Sequence, residues 1–109
     1  MSDLLNQLDV NDGDPVVATH MADALTAAAL VFGDGAIQTF TLDGRTTYTE
    51  RGRPSSGEWR VVGDGQFESF WPPAYTATYD LTWVVKGGAI TGLTFVDRQR
   101  GDRFEGQYR

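Results

Sequence analysis

The chain contains no cysteine among its 109 residues. This absence excludes disulfide bonds, thiolate nucleophiles, cysteine-ligated zinc and iron–sulfur clusters. Histidine is nearly absent too, because His20 is the only one. Together with Asp23 it would offer two ligands, which is too few for a metal site. We therefore expect neither a metal nor a cofactor.

Long hydrophobic runs and a basic N-terminus are also lacking. The longest apolar run, residues 24–32, is far shorter than the roughly 18 residues that a membrane-spanning helix needs. Residues 1–10 carry two aspartates and no basic residue, unlike the start of a signal peptide. We expect a cytoplasmic protein that does not bind a membrane.

Basic residues are missing from the first third of the chain. Residues 1–35 hold six acidic residues and no Lys or Arg, whereas residues 36–109 hold nine of each sign. The net charge of −6 therefore belongs to the N-terminal third. A negative segment repels phosphate backbones, so we do not expect nucleic acid as a partner.

What is present indicates one globular domain over residues 1–109, with 40% hydrophobic and 12% aromatic residues. Residues 1–13 form an N-terminal segment that could hold a short helix. Asp14 as the N-cap, Pro15 at the first helical position and apolar residues three to four apart predict a helix over residues 14–32. As an alternative, residues 29–32 fit a strand that enters a hairpin.

Residues 36–109 have the turn signals of an antiparallel meander. Turns that contain glycine or proline separate seven predicted strands, with a loop over residues 52–57. Gly92 predicts a bulge or a bend within the sixth strand. The strand predicted over residues 75–85 alternates aromatic and polar residues, so one face is packed. We predict a mainly β (α+β) fold, in which an N-terminal helix precedes a seven-stranded antiparallel meander that forms a strongly bent sheet or small barrel.

The sequence Gly57-Glu58-Trp59 heads one of these strands. A Gly-x-Trp within a hairpin meander resembles the calycin group of barrels, to which the lipocalins belong. Lipocalins carry this motif on their first strand, whereas two predicted strands precede it here. The resemblance covers residues 36–109 and implies a cup that holds an apolar small molecule. A second resemblance, to helix-plus-sheet cones of the nuclear-transport-factor type, would require more helix.

Two sets of residues are candidates for ligand binding, and binding of an apolar or aromatic small molecule is the leading prediction. Tyr48 and Glu50 share a strand face, and they form a polar patch in the cup if that face is directed inward. The other set consists of aromatic residues at alternating strand positions, which either line a pocket or form a plain core: Trp59, Phe67, Trp71, Tyr75, Tyr79, Trp83, Phe104 and Tyr108.

Two other classes of function remain alternatives. A small lyase, isomerase or cyclase could use Tyr, Glu and Arg groups in the same cup, or His20 if it faced the cup, although no catalytic residue is assigned. An interaction protein, including a homodimer, could join through an open sheet edge. We expect Asp80 to form a surface salt bridge. Arg98, Arg100 and Arg103 cluster at the last turn, where they are solvated or bind an anion.

Overall fold

The computed structural model describes Leu5 and residues 7–109, so the predicted short helix within residues 1–13 lies partly outside the described residues. The elements after this segment are α1 (Ala18–Thr26), β1 (Leu30–Phe32), β2 (Ile37–Phe40), β3 (Arg45–Glu50), β4 (Arg53–Val62), β5 (Gln66–Trp71), β6 (Tyr75–Lys86), β7 (Ala89–Asp97) and β8 (Arg103–Tyr108).

The strands form a closed antiparallel barrel in which each strand pairs with its neighbours in the chain. Closure joins β1 to β8, where Leu30 lies opposite Tyr108. The predicted mainly β fold, with a helix before an antiparallel meander, is confirmed. Of the two architectures expected, the barrel is the right one, because closing the sheet buries its apolar face and removes its free edges.

The predicted helix over residues 14–32 is too long, and the barrel has eight strands instead of seven. Leu30–Phe32 is the additional strand, as in the alternative considered above. Its backbone pairs with β2 on one side and with β8 on the other, which a helix could not do. The turn after it is closed by a hydrogen bond from the Gly35 N–H to the Phe32 carbonyl, at 2.9 Å.

The helix also begins later than predicted, because residues 14–16 run along β6. The part of β6 after Asp80 has no partner in β5. The N–H of Trp83 donates to the Asp14 carbonyl, and the N–H of Val16 donates to the Leu81 carbonyl, both at 2.9 Å. These bonds satisfy strand groups that would otherwise be unpaired, so Asp14 pairs with a strand instead of capping a helix.

The predicted loop over residues 52–57 is also wrong, because β4 already begins at Arg53. Arg51 and Gly52 have φ values of 52° and 78°, which is the left-handed conformation of a two-residue hairpin turn. Pairing therefore starts immediately, with Glu50 opposite Arg53.

Of the bulge or bend predicted at Gly92, the structure has a register shift beside the glycine, at Thr91. The register of β6 against β7 shifts between Val84 and Val85, so Thr91 has no partner across the strand pair. A Cβ atom on Gly92 would lie 1.9 Å from the carbonyl oxygen of Gly106, so only glycine allows β8 to approach this closely.

The barrel has two different ends. At the helix end, α1 lies with the turns at residues 41–44, 63–65 and 87–88. Its residues Met21, Ala24 and Leu25 are buried in the hydrophobic core, and the Tyr108 hydroxyl donates to the Ala24 carbonyl at 2.5 Å. At the open end lie the turns at residues 33–36, 51–52, 72–74 and 98–102.

Candidate functional site

A cavity of about 230 Å³, which we call the cup, occupies the open-end half of the barrel. Every strand except β4 contributes inward-facing residues to it. Its lining is mostly aromatic, with two uncharged polar side chains among the rings: Phe32, Gln38, Tyr48, Phe67, Ser69, Trp71, Tyr79, Phe95 and Phe104.

Aromatic rings form the base and walls of the cup. Phe67 and Phe95 meet edge to face with their centroids 5.6 Å apart, and Tyr79 lies 5.8 Å from Phe67. Rings at these distances interact favourably and support one another. Phe40 lies parallel to Phe95 at 6.5 Å and belongs to the packed core. The cup therefore has a rigid aromatic base.

Gly57 leaves room for the Trp71 indole in the wall of the cup. A Cβ atom at residue 57 would lie 2.6 Å from Cε3 of Trp71 and 2.7 Å from the Phe70 carbonyl oxygen. The indole therefore rests directly on the backbone of β4, and its Nε1 donates to the Ser69 hydroxyl at 3.2 Å. The glycine of the Gly-x-Trp motif thus has a local steric role, because it leaves room for the ring.

A buried polar network fixes the amide of Gln38. The Thr46 hydroxyl donates to the Thr39 carbonyl at 2.8 Å, so it accepts from Nε2 of Gln38, at 3.0 Å. Gln38 is only 7% exposed. Its carbonyl Oε1 accepts no hydrogen bond from any described residue, so it is a free acceptor in the cup wall.

Two phenols are hydrogen-bond donors in the cup. Burial raises the pKa of Tyr79 to about 12, and burial, with smaller contributions from Asp34 and Glu50, raises the pKa of Tyr48. Both hydroxyls therefore keep their protons at neutral pH. Neither makes a hydrogen bond within the part of the chain that the structure describes, so both can donate to a ligand.

A polar groove adjoins the cup at the open end. It is lined by Tyr48, Glu50, Arg51, Arg53 and Ser55, so Tyr48 belongs to both the groove and the cup. The groove comes from the hairpin of β3 and β4, whose inward faces extend past the rim of the cup.

The structure brings together five of the candidate ligand-binding residues, which line the cup: Tyr48, Phe67, Trp71, Tyr79 and Phe104. Glu50 lies in the adjoining groove. Tyr75 faces Trp71 across the strand pair, but it is 54% exposed at the rim.

Trp59 and Trp83 do not line the cup. Both lie in the packed core toward the helix end, where Trp83 is 1% exposed and Trp59 Nε1 donates to the Thr41 carbonyl at 3.0 Å. Strand alternation identifies the inward face correctly for both residues, but it does not give their depth along the barrel axis.

Four lining residues escaped the sequence analysis: Phe32, Gln38, Ser69 and Phe95. Ser69 lies two residues from Phe67 and two from Trp71 on β5, so it shares their inward face, and this direction is predictable from the sequence. Gln38 is two residues from buried Phe40, which gives the same signal. Phe32 lies within the predicted helix over residues 14–32, and the register shift beside Gly92 changes which face of β7 Phe95 occupies relative to the start of the strand.

The other titratable candidates lie outside the cup. His20 is on α1, at the opposite end of the barrel. The expected surface salt bridge of Asp80 is confirmed, with Arg98 as its partner at 3.2 Å. Glu68 pairs with Arg60 at 2.6 Å on the outer face. Within the described residues, no three His, Asp or Glu side chains are grouped as a metal site would require.

Comparison of the chain with protein-family models, with curated proteins and with solved structures finds no match. Across Leu5 and residues 7–109, no helix is both long enough and apolar enough to cross a membrane. The case for a function therefore depends on the cup itself.

Proposed function

We propose that this protein binds an apolar or aromatic small molecule in the cup. The observation that carries the proposal is an aromatic-lined cavity of about 230 Å³ that is open at one end of the barrel. Binding sites for small molecules are concave and mainly apolar, and they run from roughly 300 Å³ upward. The cup is slightly smaller than this, which suits a ligand of one or two fused rings.

The polar groups of the cup support the same proposal. Sites for small molecules combine an apolar wall with a few polar groups that orient the ligand. Here the Gln38 carbonyl can accept, and the hydroxyls of Tyr48 and Tyr79 can donate. The likeness of Gly57-Glu58-Trp59 to the calycin motif suggests a ligand of the same kind.

Titration of the labelled protein with 2-naphthol, followed by ¹H–¹⁵N NMR, tests the proposal. We expect saturable shifts of the Trp71 indole N–H and none of the Trp83 indole N–H, because only Trp71 lines the cup. Ser69→Leu, which places a larger side chain in the cavity, should abolish binding. Leu42→Ser, at an exposed turn of the helix end, is the control and should bind normally.

Shifts that do not saturate, or that persist in Ser69→Leu, would contradict binding in the cup. Circular dichroism of each variant verifies that it is folded before the titration.

A second candidate, a small lyase, isomerase or cyclase, draws support from one observation. Tyr48 lies in the cup and also in the groove beside Glu50 and two arginines. An efficient general acid or base has a pKa near the working pH, whereas the pKa values of Tyr48 and Tyr79 are raised. Raised values suit hydrogen-bond donors better than proton carriers, so binding is the stronger proposal.

A further inference from the structure

The charges of the protein are distributed unevenly between the two ends of the barrel. The open-end turns and the strand residues beside them comprise residues 33–36, 50–53, 72–75 and 97–103. They hold five of the nine basic residues and four of the fifteen acidic ones. This end thus carries a net charge of +1 on a chain of −6. An anion is therefore attracted to the mouth of the cup more than to the rest of the surface.

Most of the arginines at this end are not neutralised by an ion pair. Arg98 is bound to Asp80. Within the described chain, no carboxylate lies within 4.0 Å of the remaining four: Arg51, Arg53, Arg100 and Arg103. One of the acids, Asp97, is 9% exposed and accepts hydrogen bonds from the backbone N–H groups of Gln99 and Arg100. Its charge is already engaged within its own turn.

Arg53 is the arginine whose strand position aims it at the mouth. Gly57 and Trp59 on β4 are buried in the barrel, and side chains two residues apart share a face. Ser55 and Arg53 continue that inward face beyond the rim, and both line the groove that adjoins the cup. Glu50, the cross-strand neighbour of Arg53, does not reach it within 4.0 Å.

The polar groups of the cup and the groove differ in how deeply they are buried, and this difference sets the orientation of a bound ligand. Ser69 and Gln38 are the most enclosed, at 2% and 7% exposed, the two phenols are half-buried, and Arg53 is exposed. The Ser69 hydroxyl already accepts from Trp71, so Gln38 Oε1 is the acceptor that a ligand can reach at the inner end. A complementary ligand has a hydrogen-bond donor at its inner end, a flat apolar body and an anionic group at its outer end.

We infer that the cup selects an aromatic carboxylate that carries a hydroxyl or N–H donor at the opposite end of its rings. The donor binds Gln38 Oε1, the rings lie between Trp71, Tyr79 and Phe95, and the carboxylate meets the Arg53 guanidinium. This inference rests on the proposed function, because it specifies the ligand of the same cup.

Calorimetric titration with 6-hydroxy-2-naphthoate, 2-naphthol and 2-naphthoate tests the inference. These probes have the same rings and differ in carrying both end groups, only the donor or only the anion. We expect 6-hydroxy-2-naphthoate to bind about tenfold more tightly than either of the others, since each loses one charged or polar contact. Its advantage over 2-naphthol should shrink in 0.5 M salt, because Arg53 is exposed.

Arg53→Gln should remove most of the difference in affinity between 6-hydroxy-2-naphthoate and 2-naphthol. The affinity for 2-naphthol should stay the same, because this probe has no carboxylate. Gln38→Met, which keeps the shape but removes the acceptor, should remove its advantage over 2-naphthoate. Arg45→Gln is the matched control, because Arg45 is an exposed arginine at the helix end. It should leave all three affinities unchanged.

The outcomes separate this inference from the proposed function. If 2-naphthol binds as tightly as 6-hydroxy-2-naphthoate, the carboxylate preference is wrong and binding in the cup stands. If the preference survives Arg53→Gln, the assignment of Arg53 is overturned. If none of the three probes binds, both proposals fail.

Discussion

The two ends of the barrel are built by the same strands but have opposite interiors. At the helix end, Met21 and Leu25 of α1 belong to the same hydrophobic core as Leu81 and Trp83, and all four side chains are almost fully buried. At the open end the inward aromatic residues surround a cavity instead. The strand pattern is the same in both halves. The difference therefore teaches that a covering element, here α1, decides whether an aromatic face becomes core or pocket.

The largest contrast between the ends is expected on removing a large side chain. Leu25→Ala leaves a cavity under α1 and should cost about 2–5 kcal/mol in the free energy of unfolding. Phe104→Ala, at a ring that is 46% exposed at the open end, should cost less than about 1 kcal/mol. Urea unfolding measures both, and similar losses would contradict the difference in packing.

A second contrast concerns glycines, and it tests the close contact between β7 and β8. Gly92→Ala places a Cβ against the Gly106 carbonyl oxygen, so the strand pair must shift. We expect the free energy of unfolding, measured by thermal or urea unfolding, to fall by about 3 kcal/mol. Gly33→Ala, at an open-end turn with nothing within 4 Å of the added Cβ, is the control and should cost less than about 1 kcal/mol.

Enlarging a buried side chain sharpens the comparison further. Ala24→Leu should cost about 1–3 kcal/mol, because α1 has no room for three more carbon atoms. Ser69→Leu should change the free energy of unfolding by less than about 1 kcal/mol. It loses the hydrogen bond from Trp71, but its side chain can occupy the cup. A large loss for Ser69→Leu would show that the cup cannot accept added atoms.

The smallest effect is expected from alkaline pH. The pKa of Tyr79 is about 10 in the unfolded chain and about 12 in the folded protein, so the folded state holds this proton more tightly. Its contribution to stability is complete below pH 10 and is lost as the pH rises from 10 to 12. Between pH 10 and pH 12, we expect the free energy of unfolding to fall by about 1–2 kcal/mol less in Tyr79→Phe than in the wild type.

Urea unfolding at a series of pH values measures this slope. Burial also raises the pKa of Tyr108, which is unchanged in the variant, so the difference between the two proteins isolates Tyr79. Parallel slopes for wild type and Tyr79→Phe would contradict the burial of the phenol.

Turns and alternation predicted most of the fold. All seven expected strands exist, and the longest, expected over residues 75–85, is Tyr75–Lys86. The errors occur where pairing overrides local preference. Leu30–Phe32 follows an alanine-rich helical sequence and is a strand because β8 lies beside it. Residues 14–16 have a helix-start sequence but run along β6, because β6 is longer than β5.

The site could be predicted only in part. Alternation correctly placed Trp59, Trp71 and Trp83 on inward faces, but their depth depends on strand stagger and on the position of α1. The acceptor at Gln38 exists because Thr46 holds the other side of its amide. This hydrogen bond joins the neighbouring strands β2 and β3, and the alternation of residues within one strand does not predict it.

The joining of β1 to β8 has a consequence for how the protein forms. Consecutive strands from β1 to β8 are linked by hairpins that can form locally. The pairing of β1 with β8, in which the Arg109 N–H donates to the Ala29 carbonyl, brings together distant parts of the chain. Contacts of this kind limit folding rates. During synthesis, the hairpins that have already formed keep unpaired sheet edges until β8 has emerged. A chaperone that covers these edges would prevent aggregation most effectively in that interval.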